Sequence, residues 1–271
     1  MQHLMTRLAG LRAKLASEKI LLFLDYDGTL VPLVSHPSRA PLSGAVHRLL
    51  AKLTRLPGVD LAFVSGRSLA DLESKVNLKR VFYAGNHGFE LKGANGNRLS
   101  PPWNILCRGM ALLAPQISRA FRGFRGVCIE DKKFTLSVHY RGLAPAKIKP
   151  AFKHLESALK KAMKLFPVSI RMGKSVWEIC PQMVCHKGTA VRQIAAAVKR
   201  FRGPRVQCLY LGDDLTDEDA FRELGANAVT VKISPRGSEN TGARYFLRNS
   251  RDVFLFLQYL YRCRVEREET L

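Results

Sequence analysis

The sequence predicts an alternating α/β fold, a Rossmann-like parallel sheet interrupted by an α+β insert, and three observations carry that reading. A short unbroken apolar run at 20–24 and largely apolar runs at 59–64, 81–84, 207–211 and 228–233 have the pattern of strands buried on both faces of a parallel sheet. Four of these runs stop at a small or polar turn: Asp25-Tyr26-Asp27-Gly28, Ser65-Gly66-Arg67, Gly85-Asn86-His87-Gly88 and Gly212-Asp213-Asp214. In such folds sites gather at the carboxyl ends of the strands. The rhythm then changes between 103 and 185, so the chain reads as a core of 1–102 and 186–271 with an insert of 103–185.

The elements follow in order. Leu4, Leu8, Leu11 and Leu15 share one face of a helix that braces the body just before the first strand. A proline-punctuated loop over 31–41 leads to a helix with Ala45, Leu49, Leu50 and Leu53 on its buried side. The insert holds helices over 104–121 and 146–165 and strands over 127–130, 134–140, 168–171 and 175–179, with Gly173-Lys174 as a hairpin turn. In its second helix Phe152, Leu155, Leu159 and Phe166 form the buried stripe, while Lys153, Lys160, Lys161 and Lys164 face water. The core resumes with a helix opening at Lys187-Gly188 and closes with a helix over 252–261.

Lys plus Arg number 44 against 22 Asp plus Glu, a net charge of +22 in 271 residues. That charge attracts phosphate-bearing partners over long range. The basic residues recur singly and in short groups, which solvated helix faces explain. Six cysteines at 107, 128, 180, 185, 208 and 263 form no CxxC pair, so reduced thiols and a cytoplasmic location are expected. The N-terminus reads as neither signal peptide nor membrane span.

Asp25 and Asp27 fall on the same side of an extended chain, and Gly28 lets it turn at once. Two acids on one ledge repel each other. A hard divalent cation between them removes the conflict, as does a proton kept by one for general acid work; an Asp-Gly surface turn is the plain alternative. Lys187 is unfavourable beside a helix's positive end unless it has a task there, whereas Asp217, Glu218 and Asp219 read as first-turn helix acids that complement the dipole.

Taken in order, Asp25 with Asp27, Ser65, Lys187, and Asp213 with Asp214 resemble the four motifs of the haloacid dehalogenase (HAD) superfamily of phosphotransferases. The likeness narrows to the trehalose-6-phosphate phosphatase family. It rests on Asp25 to Leu30, Val64-Ser65-Gly66-Arg67, Gly85-Asn86-His87-Gly88, Val138-His139-Tyr140-Arg141, Val176-Trp177-Glu178-Ile179-Cys180-Pro181, Lys187-Gly188 and the run from Gly212 to Phe221. The resemblance implies a HAD-type core with a C2-type cap. It implies a Mg2+-dependent phosphatase in which Asp25 is the nucleophile, Asp27 the acid and base, and Ser65 and Lys187 hold the phosphoryl group. Asp25, Asp27 through its main-chain carbonyl, Asp213 and Asp214 are the expected metal ligands. Glu130, Lys132 and Glu178 are expected to contact the sugar, with Arg67, His87 and Arg141 as further candidates. The expected partner is a small-molecule sugar phosphate, with no nucleic acid, no membrane and a monomeric state.

Two rivals stay open at this point. One is a related HAD phosphatase acting on glucosylglycerol phosphate, mannosyl- or glucosyl-phosphoglycerate, or sucrose phosphate. The other is a basic nucleic-acid-binding protein with a vestigial phosphatase core, against which stands the absence of any recognised nucleic-acid module.

Overall fold

The computed structural model describes residues 1–16, 18–33, 41–99, 104–162, 167–182, 185–237 and 240–269, with backbone alone at 104–107, 161–162 and 268–269. The chain divides into two compact units, Met1–Ser100 with Cys185–Leu271, and Pro101–Val184.

The larger unit is organised by β2 (Ile20–Leu24), all five residues of which are buried. Ile20, Leu22 and Leu24 enter one core cluster, with Leu8, Leu11 and Leu15 of α1 (Leu8–Leu15), Leu49, Leu50 and Leu53 of α2 (Gly44–Leu53), and Leu72 and Val76 of α3 (Leu69–Val76). Phe256, Leu257 and Leu260 of α8 (Ser250–Glu269) belong to the same cluster. Leu21 and Phe23 point the other way, into a cluster with Val191, Ile194 and Val198 of α6 (Lys187–Arg202) and Ala220 and Phe221 of α7 (Asp217–Leu224). Each large apolar side chain so enclosed contributes about 1.5–3 kcal/mol. That two-sided covering is why the strand reads as an unbroken apolar run.

Five further strands are parallel to β2: β1 (Gln2–His3), β3 (Val59–Val64), β4 (Phe82–Gly85), β10 (Gln207–Gly212) and β11 (Val229–Ile233), together with the short β12 (Tyr245–Leu247). An antiparallel edge strand, β5 (Glu90–Lys92), completes the order β1-β12-β11-β10-β2-β3-β4-β5. The carboxyl ends of β10, β2, β3 and β4 therefore lie side by side.

The smaller unit is a four-stranded antiparallel sheet of β6 (Cys128–Asp131), β7 (Leu136–His139), β8 (Val168–Gly173) and β9 (Val176–Pro181), in the order β6-β7-β9-β8. One face carries Leu136, Val138, Trp177 and Ile179, which pack with Met110, Leu113 and Ile117 of α4 (Asn104–Ala120) and Ala151, Leu155 and Leu159 of α5 (Pro145–Ala162). Trp177 stacks on Tyr140 at 4.3 Å between ring centroids. The opposite face is polar, and the pairing sets Glu130, Ser137, Glu178 and Arg171 in one row across all four strands.

Several details differ from the sequence expectations. Val46, not Ala45, faces the core from α2, because capping by the Ser43 hydroxyl on the Val46 amide (3.3 Å) sets the helix phase. Gly173 belongs to β8, and the turn is Lys174-Ser175, with Ser175 at φ 62°. The closing helix begins earlier and runs further than expected, as α8. Leu165, Phe166, Lys164 and Trp103 lie outside the described residues, as does most of the expected loop over 31–41.

Candidate active site

Asp25, Tyr26 and Asp27 follow β2 directly, and the Asp25 amide donates to the Leu211 carbonyl of β10 (3.0 Å), which ties the two strand ends together. Gly28 has φ +82°, and a Cβ there would stand 2.1 Å from Asp213 Oδ2. A similar constraint acts at Gly212, where a Cβ would meet the Asp217 carboxyl carbon at 2.3 Å. Both glycines are thus required by carboxylates crowded against the backbone.

Those carboxylates form the centre of the site. Ligand oxygens of Asp25, Asp213 and Asp217, all buried, lie within 4.8 Å of one another. Lys187, in the first turn of α6, donates from Nζ to Asp25 Oδ1 and to Asp217 Oδ1, each at 2.7 Å. Asp217 Oδ1 also accepts from the Tyr210 hydroxyl (2.6 Å), and its Oδ2 accepts from the Asp214 amide (2.8 Å). Burial alone would push the Asp217 carboxyl up, but the Lys187 charge and these hydrogen bonds hold it below the usual range. For Asp25, burial dominates and lifts the carboxyl well above the ordinary aspartate value; Lys187 pulls it back, while Asp217 and Asp213 push it further up. Burial works against the Lys187 ammonium too, yet Asp217 and Asp25 raise its pKa above the ordinary lysine value. Asp25 and Asp217 share the Lys187 ammonium, and with Asp213 they bring three carboxylates together as the oxygen donors that suit a hard divalent cation.

The predicted site residues do not all take the expected places. Asp214 stands outside the triad: its carboxylate accepts from the Leu215 amide (2.8 Å). Asp217 occupies the position beside Asp25 and Asp213. Arg67 is engaged by Asp27, with Nε and Nη2 donating to the two carboxylate oxygens at 2.6 Å each, and by Asp71, to which Nη1 donates at 2.6 Å. Its guanidinium also lies over the Tyr26 ring, 5.1 Å from the centroid. Ser65 is 2% exposed, at the end of β3, and its hydroxyl accepts from the Arg67 amide (3.2 Å). Asn86 and His87 both have positive φ, 49° and 55°, a conformation costing about 1–3 kcal/mol per non-glycine residue. Glu90 steadies that strained turn, accepting from the Asn86 amide side chain (2.7 Å) and from the Leu69 amide (3.0 Å).

In the smaller unit, Glu178 Oε1 accepts from Lys132 Nζ (2.8 Å) and from the Ser137 hydroxyl (2.6 Å). Glu130 lies 3.0 Å from His139 Nε2. Burial would raise the Glu130 carboxyl, but His139 and Lys132 bring it below the ordinary glutamate value. Lys132 is pushed down by burial and then carried above the ordinary lysine value by Glu178 and Glu130. Arg141 is exposed, just after β7.

Asp71, Glu90, Tyr210 and Asp217 were not singled out for function in the sequence. Only Asp217 had a local signal, its place in the run from Gly212 to Phe221, and there it reads equally well as a helix first-turn acid.

Strand-end acids beside a buried lysine, on a parallel sheet carrying an inserted α+β unit, define a phosphatase of the HAD-like fold. The same architecture is seen in a haloacid dehalogenase-like hydrolase from Bacteroides thetaiotaomicron, with a TM-score of 0.60 at 13% identity over 90% of this chain and 99% of that one. The trehalose-phosphatase family model matches residues 23–251, and the chain belongs to that family. It is 32% identical over 258 residues to probable trehalose-phosphate phosphatase E of Arabidopsis thaliana, covering 91% of this chain and 71% of that protein. It superposes on the C. albicans trehalose-6-phosphate phosphatase C-terminal domain with a TM-score of 0.81 and 26% identity, covering 94% of this chain and 96% of that one.

Proposed function

We propose that the protein hydrolyses trehalose 6-phosphate to trehalose and inorganic phosphate through an aspartyl-phosphate on Asp25. The observation that carries this reading is the buried contact of Lys187 with Asp25 and Asp217, with Asp213 in the same cluster, in a chain of the trehalose-phosphatase family.

Asp25, Asp213 and Asp217 would hold Mg2+, with the Asp27 carbonyl as a further oxygen donor. Asp214 acts through its amide, which fixes Asp217. Bound there, the ion supplies positive charge to the phosphoryl oxygens and keeps Asp25 ionised.

The rest falls to the chain's own residues. An Asp25 oxygen forms the new bond to phosphorus as the bond from phosphorus to the sugar oxygen breaks, and Asp27 gives that oxygen its proton. Water then attacks the phosphorus, passing its proton to Asp27, and Asp25 and inorganic phosphate are released. Both Asp27 oxygens accept from Arg67 in this structure, so the acid step requires one of those bonds to give way. We therefore assign Arg67 to the positioning of Asp27 rather than to the sugar. Lys187 holds Asp25 and offers its charge to the transferring group. The Ser65 hydroxyl donates to that group, and His87 is held near Ser65 by its backbone bond to the Ser65 carbonyl (3.0 Å).

Sugar recognition we assign to the polar face of the smaller unit. Glu130 and Glu178 accept from hydroxyls, and Lys132 donates to them, with Arg141 as an outer contact. A cytoplasmic setting is part of the proposal, supported by the five described cysteines, all free thiols.

The test is phosphate release from trehalose 6-phosphate, sucrose 6-phosphate, glucose 6-phosphate and glycosyl-phosphoglycerates, each with Mg2+ and with excess chelator. Strong metal-dependent preference for trehalose 6-phosphate is expected. Preference for another sugar phosphate would discard the substrate while keeping the chemistry, and no release from any would discard both.

A further inference from the structure

The net charge of the chain is unevenly distributed. Residues 101–184 hold 15 of the 44 Lys and Arg but only 4 of the 22 Asp and Glu, so these 84 residues carry +11 (15 less 4) of the chain's +22. Lys132, paired with Glu178, lies with the polar face of the sheet. Most of the remaining cations lie in the layer of α4 and α5 and the turn after α4, on the other side of that sheet.

Arg108 and Arg119 of α4, Arg122 and Arg125 just after it, and Lys147, Lys149, Lys153 and Lys160 of α5 are all exposed. None of these eight makes an ion pair among the described residues. Glu156 is the one acid in the two helices. The helices share an apolar underside, and His154 of α5 bonds the Ala120 carbonyl at the end of α4 (2.8 Å) while stacking on Phe124. This contact brings the middle of α5, with Lys153, up to the arginines around the α4 terminus. Leu112 stands among these cations at 71% exposed, whereas Phe121 is buried and Phe124 is half-buried beneath His154.

We propose that this outer face of the two-helix layer docks on an anionic phospholipid surface. A cluster of four to eight Lys and Arg on a helical face is the charge density that such a surface attracts. An exposed leucine among lysine and arginine stems suits the boundary between headgroups and acyl chains. A nucleic acid would be held through stacked bases as well as phosphates, and among the described residues this face offers no exposed Phe, Tyr or Trp ring, its one exposed imidazole, His154, being already stacked on Phe124. The proposal departs from the expectation of no membrane partner. It concerns peripheral docking alone: among the described residues no helix is long and apolar enough to cross a membrane. It does not depend on the catalytic reading.

The test is co-sedimentation of the full chain with phosphatidylcholine vesicles, with or without roughly a third phosphatidylserine, a strongly anionic composition, at low and high salt. Binding to the anionic vesicles alone, weakening with salt, is expected. Joint substitution of Arg119, Arg122, Lys149 and Lys153 by Gln should weaken it by about fivefold per charge, several hundredfold in all. Substituting Arg48, Arg55, Arg236 and Arg251 by Gln makes the same change in net charge on the larger unit and should leave most of the binding. Leu112→Ser should reduce it further at high salt, where the apolar contact matters most. Unchanged thermal melting and phosphatase rate verify that the variants are folded. No binding at low salt, equal binding to neutral vesicles, or an equal loss in the control variant overturns the proposal. So does tighter binding of single-stranded RNA than of vesicles at the same salt, lost on substitution of the same four residues.

Discussion

Asp217→Asn separates the two acids that compete for a role beside Asp25. Asp217 is fully buried and accepts from Lys187, Tyr210 and the Asp214 amide. An asparagine keeps one acceptor oxygen but sets an amide group against one of those donors and removes the charge opposite Lys187. Breaking a buried ion pair by neutralising one partner costs about 3–5 kcal/mol. With about 2–4 °C per kcal/mol for a chain approaching this size, melting should fall by roughly 6–20 °C. Asp214→Asn, whose carboxylate bonds only the neighbouring Leu215 amide among the described residues, should cost less than about 1 kcal/mol. The assay is urea and thermal unfolding of both variants with excess chelator present, so that metal binding does not enter. A loss below about 1 kcal/mol for Asp217→Asn, or an equal loss for the two, would refute the central place given to Asp217.

Three further outcomes are expected. Gly28→Ala places a Cβ 2.1 Å from Asp213 Oδ2 at a φ of +82°, so it should destabilise by more than about 1 kcal/mol and depress turnover, which unfolding and phosphate-release assays would detect together. Arg67→Lys keeps the charge but not the paired bonds to Asp27; kcat should fall at least tenfold, the order expected for loss of a positioning contact, with KM little changed, and a change confined to KM would return Arg67 to sugar binding. Glu130 has a depressed folded pKa, so its stabilising contribution is complete above the unfolded value and is lost as pH falls through the lower folded value. Relative to wild type, Glu130→Gln should therefore lose less stability between about pH 5 and pH 3, the range spanning the ordinary glutamate pKa, and parallel urea midpoints in the two proteins would contradict that.

How far the site can be read from sequence depends on how local its signals are. Asp25 and Asp27 are legible because β2 is buried on both faces and its apolar run ends at them; Lys187 is legible because a cation is out of place at a helix start. The Arg67 pair with Asp27 is not legible, since 40 residues separate the partners and the arginine sits in an ordinary turn. Asp217 has the opposite difficulty: an acid in a first helical turn is common, and only the fold shows that this one turns inward to Lys187. The strands β1, β5 and β12 are two or three residues long, too short for any hydrophobic period to register. Their pairing is supplied by the sheet edges they meet.

The central claim is that Asp25 is the nucleophile for trehalose 6-phosphate, and the initial rate of phosphate release by Asp25→Asn, beside wild type with Mg2+, tests it most directly. The carboxamide cannot form an aspartyl-phosphate, so a folded variant should show no turnover above background. Appreciable release by a variant that melts like a folded protein would contradict the account.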